Sequence, residues 1–471
     1  MSLNASLTLC ALQPCRMGKR MAGVRSMISF IKRLCHDRRG NALAIGAAAL
    51  PLLIGSAGLA TDTIQWALWK RQLQRAADSA AMAGVYAKVS GQTLDDCSNV
   101  AGATYDKPIA YDVKQNNFVG IETACTAQNS PSSGPYSSDP HAVRVRVAVQ
   151  KTLSFSSMFM SSPPTIEATA TATIVPGGEY CVVSLENTST TGITATGSAT
   201  VNMGCGMITN STSMSAAIAT GSSSVTASPI AAVGGISASS NWGAGTTLQP
   251  FTMAQDDPFA NVQAPVPTNC QKFSDWVGNN NKPGGVIDLT TSGSPIAPGG
   301  TFCLKENGGT LDISANVTLP KGTYVLDATS LKMTNTSASL KCHECTFVLT
   351  SSTAATNPGS IGTISLQGGR LDMTAASDGL FKGLMFYQDR RAPYANNITN
   401  LINGNSSSSL LGAAYFPNQK LTFNGTSGMK TECLQLVARI VDFSGNNSIS
   451  NNCPPGSGAN SFKGRKVRLV A

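Results

Sequence analysis

The chain changes its rhythm of apolar and polar positions near residue 90. From Gly40 to Thr61 it runs for 22 residues without a charge, GNALAIGAAALPLLIGSAGLAT. At about 1.5 Å per residue, a helix of that length crosses a bilayer core of about 30 Å. The pattern therefore predicts a transmembrane helix over 40–61. Pro51 falls mid-span, where membrane helices tolerate proline better than soluble ones do. Residues 62–90 continue as a helical stalk: good helix formers, with no proline as far as Val89. Leu73, Ala76, Ala80 and Ala83 repeat at three- and four-residue spacing, a stripe of mostly small side chains that lets another element approach closely. It reads either as packing on the chain's own β domain or as the face met by a partner helix.

Beyond the stalk the period shortens to two. Val143, Val145, Val147 and Val149 alternate with polar residues, as in a half-buried strand, and 166–175 is a further strand candidate. Residues 91–179 thus predict a small β-rich domain. From 180 onward, short echoes appear. Ala195-Thr196-Gly197-Ser198 recurs as Ala219-Thr220-Gly221-Ser222, with Val201 echoed by Val225. Leu311-Asp312-Ile313 is followed by Leu331-Lys332-Met333, and Tyr324-Val325-Leu326 by Phe347-Val348-Leu349. Offsets of about 20–24 residues, short strands and Gly/Asn/Ser turns fit the coils of a parallel β-solenoid, with a β-sandwich as the alternative. The resulting division is a β-repeat region at 180–240, an irregular connection at 241–283 and a solenoid-like domain at 284–471. The fold class expected is mostly β, with an N-terminal transmembrane α-helix and a β-rich exported body.

Composition and charge refine this picture. Aromatics make up only 6% of residues and charged residues 13%, while hydrophobic residues reach 42%, which argues against disorder. The net charge of +9 is concentrated before the span, where Arg16, Lys19, Arg20, Arg25, Lys32, Arg33, Arg38 and Arg39 face only Asp37. Clustered there, the charge sets topology rather than binding nucleic acid, and no nucleic-acid partner is expected. Residues 1–39 should stay cytoplasmic and the bulk should be exported. Trp66 and Trp69 follow the span, where an interfacial aromatic belt would lie. Ten cysteines follow the apolar segment, an even number suited to disulfides in an oxidising compartment. Chain neighbours are the natural pairs to consider: Cys97 with Cys125, Cys181 with Cys205, Cys433 with Cys453, and Cys342 with Cys345 in a Cys-His-Glu-Cys string.

The string from Arg38-Arg39-Gly40-Asn41 through Pro51-Leu52-Leu53 and Gly58-Leu59-Ala60-Thr61-Asp62 to Leu73-Gln74-Arg75-Ala76-Ala77-Asp78-Ser79-Ala80-Ala81 resembles the N-terminal region of TadG-like proteins. These are associated with Tad (Flp) pilus assembly in bacteria. Pilins of that system carry a glutamate five residues after the processing glycine; counted from Gly40, that place here is Ile45. The resemblance thus implies the non-polymerising branch, anchored in the bacterial inner membrane with its bulk in the periplasm. Some relatives carry a von Willebrand factor A module with an Asp-x-Ser-x-Ser metal motif. The nearest string here, Asp288-Leu289-Thr290-Thr291-Ser292, lacks a preceding apolar β run and reads as a turn. The stretches Tyr180-Cys181-Val182-Val183, 383–390 and Ala413-Ala414-Tyr415-Phe416-Pro417 are similar to the β-rich region that follows in many TadG-like proteins.

Catalytic chemistry is sparse. Of the three histidines, His36 falls in the basic N-terminal segment, His141 follows a proline in a turn, and His343 lies in Cys342-His343-Glu344-Cys345, a spacing that reads as a structural disulfide ahead of a redox pair or half of a metal site. Asp389, Arg390 and Arg391, with Arg439 and Asp442, form the densest polar group, and they read as surface ion pairs ahead of a polysaccharide-cleaving set. The expectation is no catalytic residue, no metal and no cofactor. The chain would be a non-enzymatic envelope protein whose partners belong to a Tad/Flp pilus or adhesion apparatus. The alternatives are a membrane-tethered β-helix enzyme acting on carbohydrate and an adhesin secreted after signal cleavage.

Overall fold

A computed structural model describes residues 41–116, 123–403, 405, 407–424, 430–445, 448–450 and 462–471. The basic segment 1–39, Gly40 and Cys453 lie outside the described residues.

Helix α1 runs without interruption from Asn41 to Val89, with Pro51 inside it. It is long and apolar enough to cross a membrane. Its first half is bare: Ile45, Leu52 and Leu53 are each about two-thirds exposed or more. A soluble protein would bury such a row. From Asp62 onward the helix is increasingly buried, with Leu73, Ala77, Ala80 and Val85 fully covered.

The described residues divide into two compact units. The first comprises α1 up to Ala80 together with 95–127 and 145–170. It contains a short helix, α2 (Pro108–Gln115), whose first free amides, Ile109 N and Ala110 N, both donate to the Asp95 carboxylate at 3.0 and 2.9 Å. An acid at a helix N-terminus is well placed, because the amides there lack partners within the helix and the dipole is positive. Strands β1 (Thr123–Asn129), β2 (Val143–Gln150) and β3 (Thr165–Ser184) pair in chain order. The valines of β2 are all buried and alternate with more open residues. A disulfide joins Cys97 to Cys125.

The second unit holds 81–94, 128–144 and 171–471. It is a solenoid-like stack of mostly short, nearly all parallel strands, most of them in one large sheet and three in a second. The sequence echoes are its lateral neighbours. Ala195 pairs with Ala219, Val201 with Val225, Leu311 with Leu331, and Tyr324 with Phe347. Each coil therefore lies in register on the coil one repeat away. An inward ladder runs Ile230, Met207, Val182, Leu436, Ala414, Phe386, Phe347, Tyr324, Phe302. Its aromatic end stacks ring upon ring, with centroids 5.3, 5.2 and 5.9 Å apart from Phe302 to Phe386. Few aromatics suffice because a ladder brings like side chains together at every coil.

The order of coils in space is not their order in the chain. Residues 436–438 and 441–443 pair with 182–184 and 193–195, and 448–450 pair with 200–202. The regions 180–240 and 284–471, far apart in sequence, thus form one continuous stack, with the last coils lying against the first. The final strand, Phe462–Leu469, then runs antiparallel to β3.

A chain permuted in this way must return from one end of the stack to the other. Residues 250–271 do so as an extended strap over an outer ladder: Ala231, Ile208, Val183, Val437, Tyr415, Tyr387, Val348, Val325, Cys303. Phe259, Val262 and Ala264 of the strap pack on this ladder. Gln255 and Asn210 exchange two hydrogen bonds at 2.7 and 2.8 Å, and Gln271 N donates to Cys303 O at 3.0 Å beside a Cys270–Cys303 disulfide. Because the strap covers the outside and the core the inside, these strands are apolar on both faces. That is why Cys181-Val182-Val183 and Met385-Phe386-Tyr387 read as continuous apolar runs.

Candidate membrane anchor and polar clusters

The candidate anchor segment is the bare part of α1. Pro51 and Thr61 lie within the helix, and the Thr61 hydroxyl donates to Gly58 O at 2.7 Å, satisfying itself against the helix backbone. Asp62, the first charge after the span, is buried and accepts from Phe155 N at 3.1 Å and Ser156 N at 2.6 Å. Two amide donors make burial of a carboxylate tolerable. Trp69 is buried within the chain, which removes it from the expected aromatic belt, and Trp66 is half-buried. Of the small-residue stripe, Leu73, Ala76 and Ala80 are buried within the chain and Ala83 is half-buried. A partner helix would find the first three already covered.

The polar clusters bind the stack together. Asp389 is buried and accepts from Arg391 Nη2 at 2.6 Å, Arg391 N at 2.9 Å and the Thr350 hydroxyl at 2.7 Å. Burial alone would raise its carboxyl, but the hydrogen bonds from Arg391 and Thr350 outweigh that and hold it below the usual range. Arg390 donates to Tyr415 Oη at 2.7 Å and to the strap carbonyls of Phe259 and Ala260, and it pairs with Asp257 at 3.0 Å. It is a clamp on the strap. Burial, reinforced by the negative charge of Asp257, pushes the Tyr415 hydroxyl far above its ordinary value, so it stays a donor to Asp257 at 2.7 Å. Arg439 pairs with Glu186 at 2.9 Å, both buried, under the ring of Tyr394. Asp442 pairs with Lys420 at 3.1 Å. Each of these acids is paired with a cation, an arrangement that ties neighbouring coils and the strap together.

The remaining sequence candidates have simple places. Asp288 Oδ1 accepts from Thr290 N and Thr290 Oγ1 at 2.9 and 2.6 Å, closing a turn. His343 bonds Asp372 at 2.9 Å. Disulfides join Cys181 to Cys205 and Cys342 to Cys345, and Cys433 is also disulfide-bonded. The Cys270–Cys303 link was not among the sequence readings. Its signal was available only as two cysteines left over when chain neighbours are paired. Among the described residues, no group of three or more His, Cys, Asp or Glu side chains is placed to share a metal ion.

Against this geometry, one comparison is informative. Residues 40–87 match the Tad family model, described as Putative Flp pilus-assembly TadE/G-like. The N-terminal segment is thus similar to TadE/G-like proteins. No curated protein and no solved structure matches the chain. The matched segment coincides with α1 almost end to end and ends before the β body begins.

Proposed function

We propose that this chain is a non-enzymatic assembly factor of a Tad/Flp pilus apparatus. In this reading it is held in the bacterial inner membrane by residues 41–61, with its N-terminus cytoplasmic and its β body in the periplasm. One observation carries the proposal: a TadG-like segment is also a helix with a bare apolar half and a buried polar-flanked half. The basic residues before the span support the orientation, since such clusters stay on the cytoplasmic side. Disulfides throughout the body suit an oxidising compartment. The occupied acids support a binding role over catalysis.

The test is genetic. Deletion should abolish or sharply reduce surface pili, and the full chain should restore them. A version whose span is replaced by a cleavable signal should not. Restoration by that soluble version would remove the need for an anchor, and normal piliation after deletion would contradict an assembly role. An Asp389→Asn, Arg390→Ala variant that lost cleavage of an envelope polysaccharide would favour the enzyme reading instead.

A further inference from the structure

The first unit carries a second apolar feature beside the end of the span. Between Lys151 and Glu167 the chain runs for 15 residues without a charge, TLSFSSMFMSSPPTI. Its tip, Met158-Phe159-Met160, is exposed: 75, 68 and 42%. Three consecutive exposed large apolar side chains on a loop are costly in water and mark a surface that something covers.

The position of this loop is fixed by the helix. The carboxylate of Asp62 accepts the amides of Phe155 and Ser156, tying the short 3₁₀ turn Ser156–Met158 to the first residue beyond the apolar run. One turn earlier in the helix, the ring of Phe155 lies so close to Gly58 that a Cβ there would overlap it. A close approach of this kind requires glycine. The loop is therefore docked on the last turn of the apolar run.

We propose that Met158, Phe159 and Met160 insert into the headgroup–acyl boundary of the bilayer crossed by α1, giving the first unit a second, shallow membrane contact. The occupant is lipid rather than protein because the loop is docked on the end of the apolar run and its exposed tip continues that apolar surface. Phe159 would then do what the buried Trp69 cannot, anchoring at the interface with an aromatic ring. Such a contact would resist rotation and tilt of the stalk about the single helix. The proposal rests on the membrane-span reading.

The test uses the full chain in lipid nanodiscs with a photoreactive benzoylphenylalanine at one site per sample: Phe159, Leu52 within the span, or Phe251 as an exposed apolar control remote in sequence. Lipid adducts at 52 and 159, but not 251, support the proposal. Adducts at 52 with none at 159 overturn it and leave the span standing. A protein adduct at 159 also overturns it. Absence of adducts at both 52 and 159 removes the span, and the proposal with it. As a second measurement, Asp62→Ala should lower the 159 adduct about tenfold, as expected for losing two hydrogen bonds to a charged acceptor, while the yield at 52 stays unchanged. An unchanged 159 yield would contradict the docking that sets the depth.

Discussion

Gly197 and Gly221 hold φ of +69 and +71°, and Gly445 holds +79°. They stack: a Cβ on Gly221 would stand 3.0 Å from Gly197 O, and one on Gly197 would stand 3.1 Å from Gly445 O. The repeated Ala-Thr-Gly-Ser string is therefore a turn that only glycine fits. Gly221→Ala should lower stability by about 1–2 kcal/mol, since it combines left-handed strain with crowding, which a denaturant midpoint measured on the full chain would detect. A midpoint unchanged by the substitution would mean the turn relaxes freely. The buried Glu186–Arg439 pair makes a stronger demand. Arg439→Ala leaves a carboxylate buried without its cation and should cost about 3–5 kcal/mol. Adding Glu186→Ala should recover part of that loss, and a purely additive double variant would exclude coupling. Acid should act on the same class of groups. Asp389, Asp327 and Glu186 are all held below their ordinary values: burial opposes this, but hydrogen bonds and cations outweigh it. A depressed carboxyl contributes stability that is present above its unfolded value and is lost as pH falls through its folded value. The melting midpoint should therefore be flat near neutrality and drop below about pH 4. Asp389→Asn should shallow that drop.

At the level of elements, the coils from 286 upward and the 24-residue echoes were legible because a solenoid repeats its own register. Ala195 and Ala219 match in sequence because they match in space. The strap left no such trace. Asp257, Phe259, Val262 and Gln271 contact successive coils at irregular intervals, and no periodicity links them. The juncture of 441–443 with 193–195 was equally hidden, because the partners lie at opposite ends of the body and echo each other only as Phe443-Ser444-Gly445 against Ala195-Thr196-Gly197. The strap yields its own prediction. Cys270→Ser with Cys303→Ser opens a loop of sequence separation 33 and should cost about 3–4 kcal/mol by the loop-entropy relation. Proteolysis should then begin within 255–271. Cleavage elsewhere at the same rate as in the parent would mean that the disulfide does not secure the strap.

For the whole molecule, the decisive feature is an uninterrupted helix that is bare over one half and covered over the other. The long apolar helix was legible in the sequence because a charge-free run of membrane length is a coarse signal. The small-residue stripe was harder to read, since Leu73, Ala76 and Ala80 serve packing within the chain with the same spacing a partner helix would use. The docked Phe155 turn was not legible, since it depends on a single carboxylate meeting two amides across a long sequence interval. The central claim is a single span with the β body outside the cytoplasm. Protease treatment of spheroplasts, with the membrane-retained fragment mapped by mass spectrometry, tests it most directly. The account predicts loss of the body and a protected membrane fragment containing residues 41–61. A body that survives external protease, or a soluble chain beginning near Thr61, would contradict it.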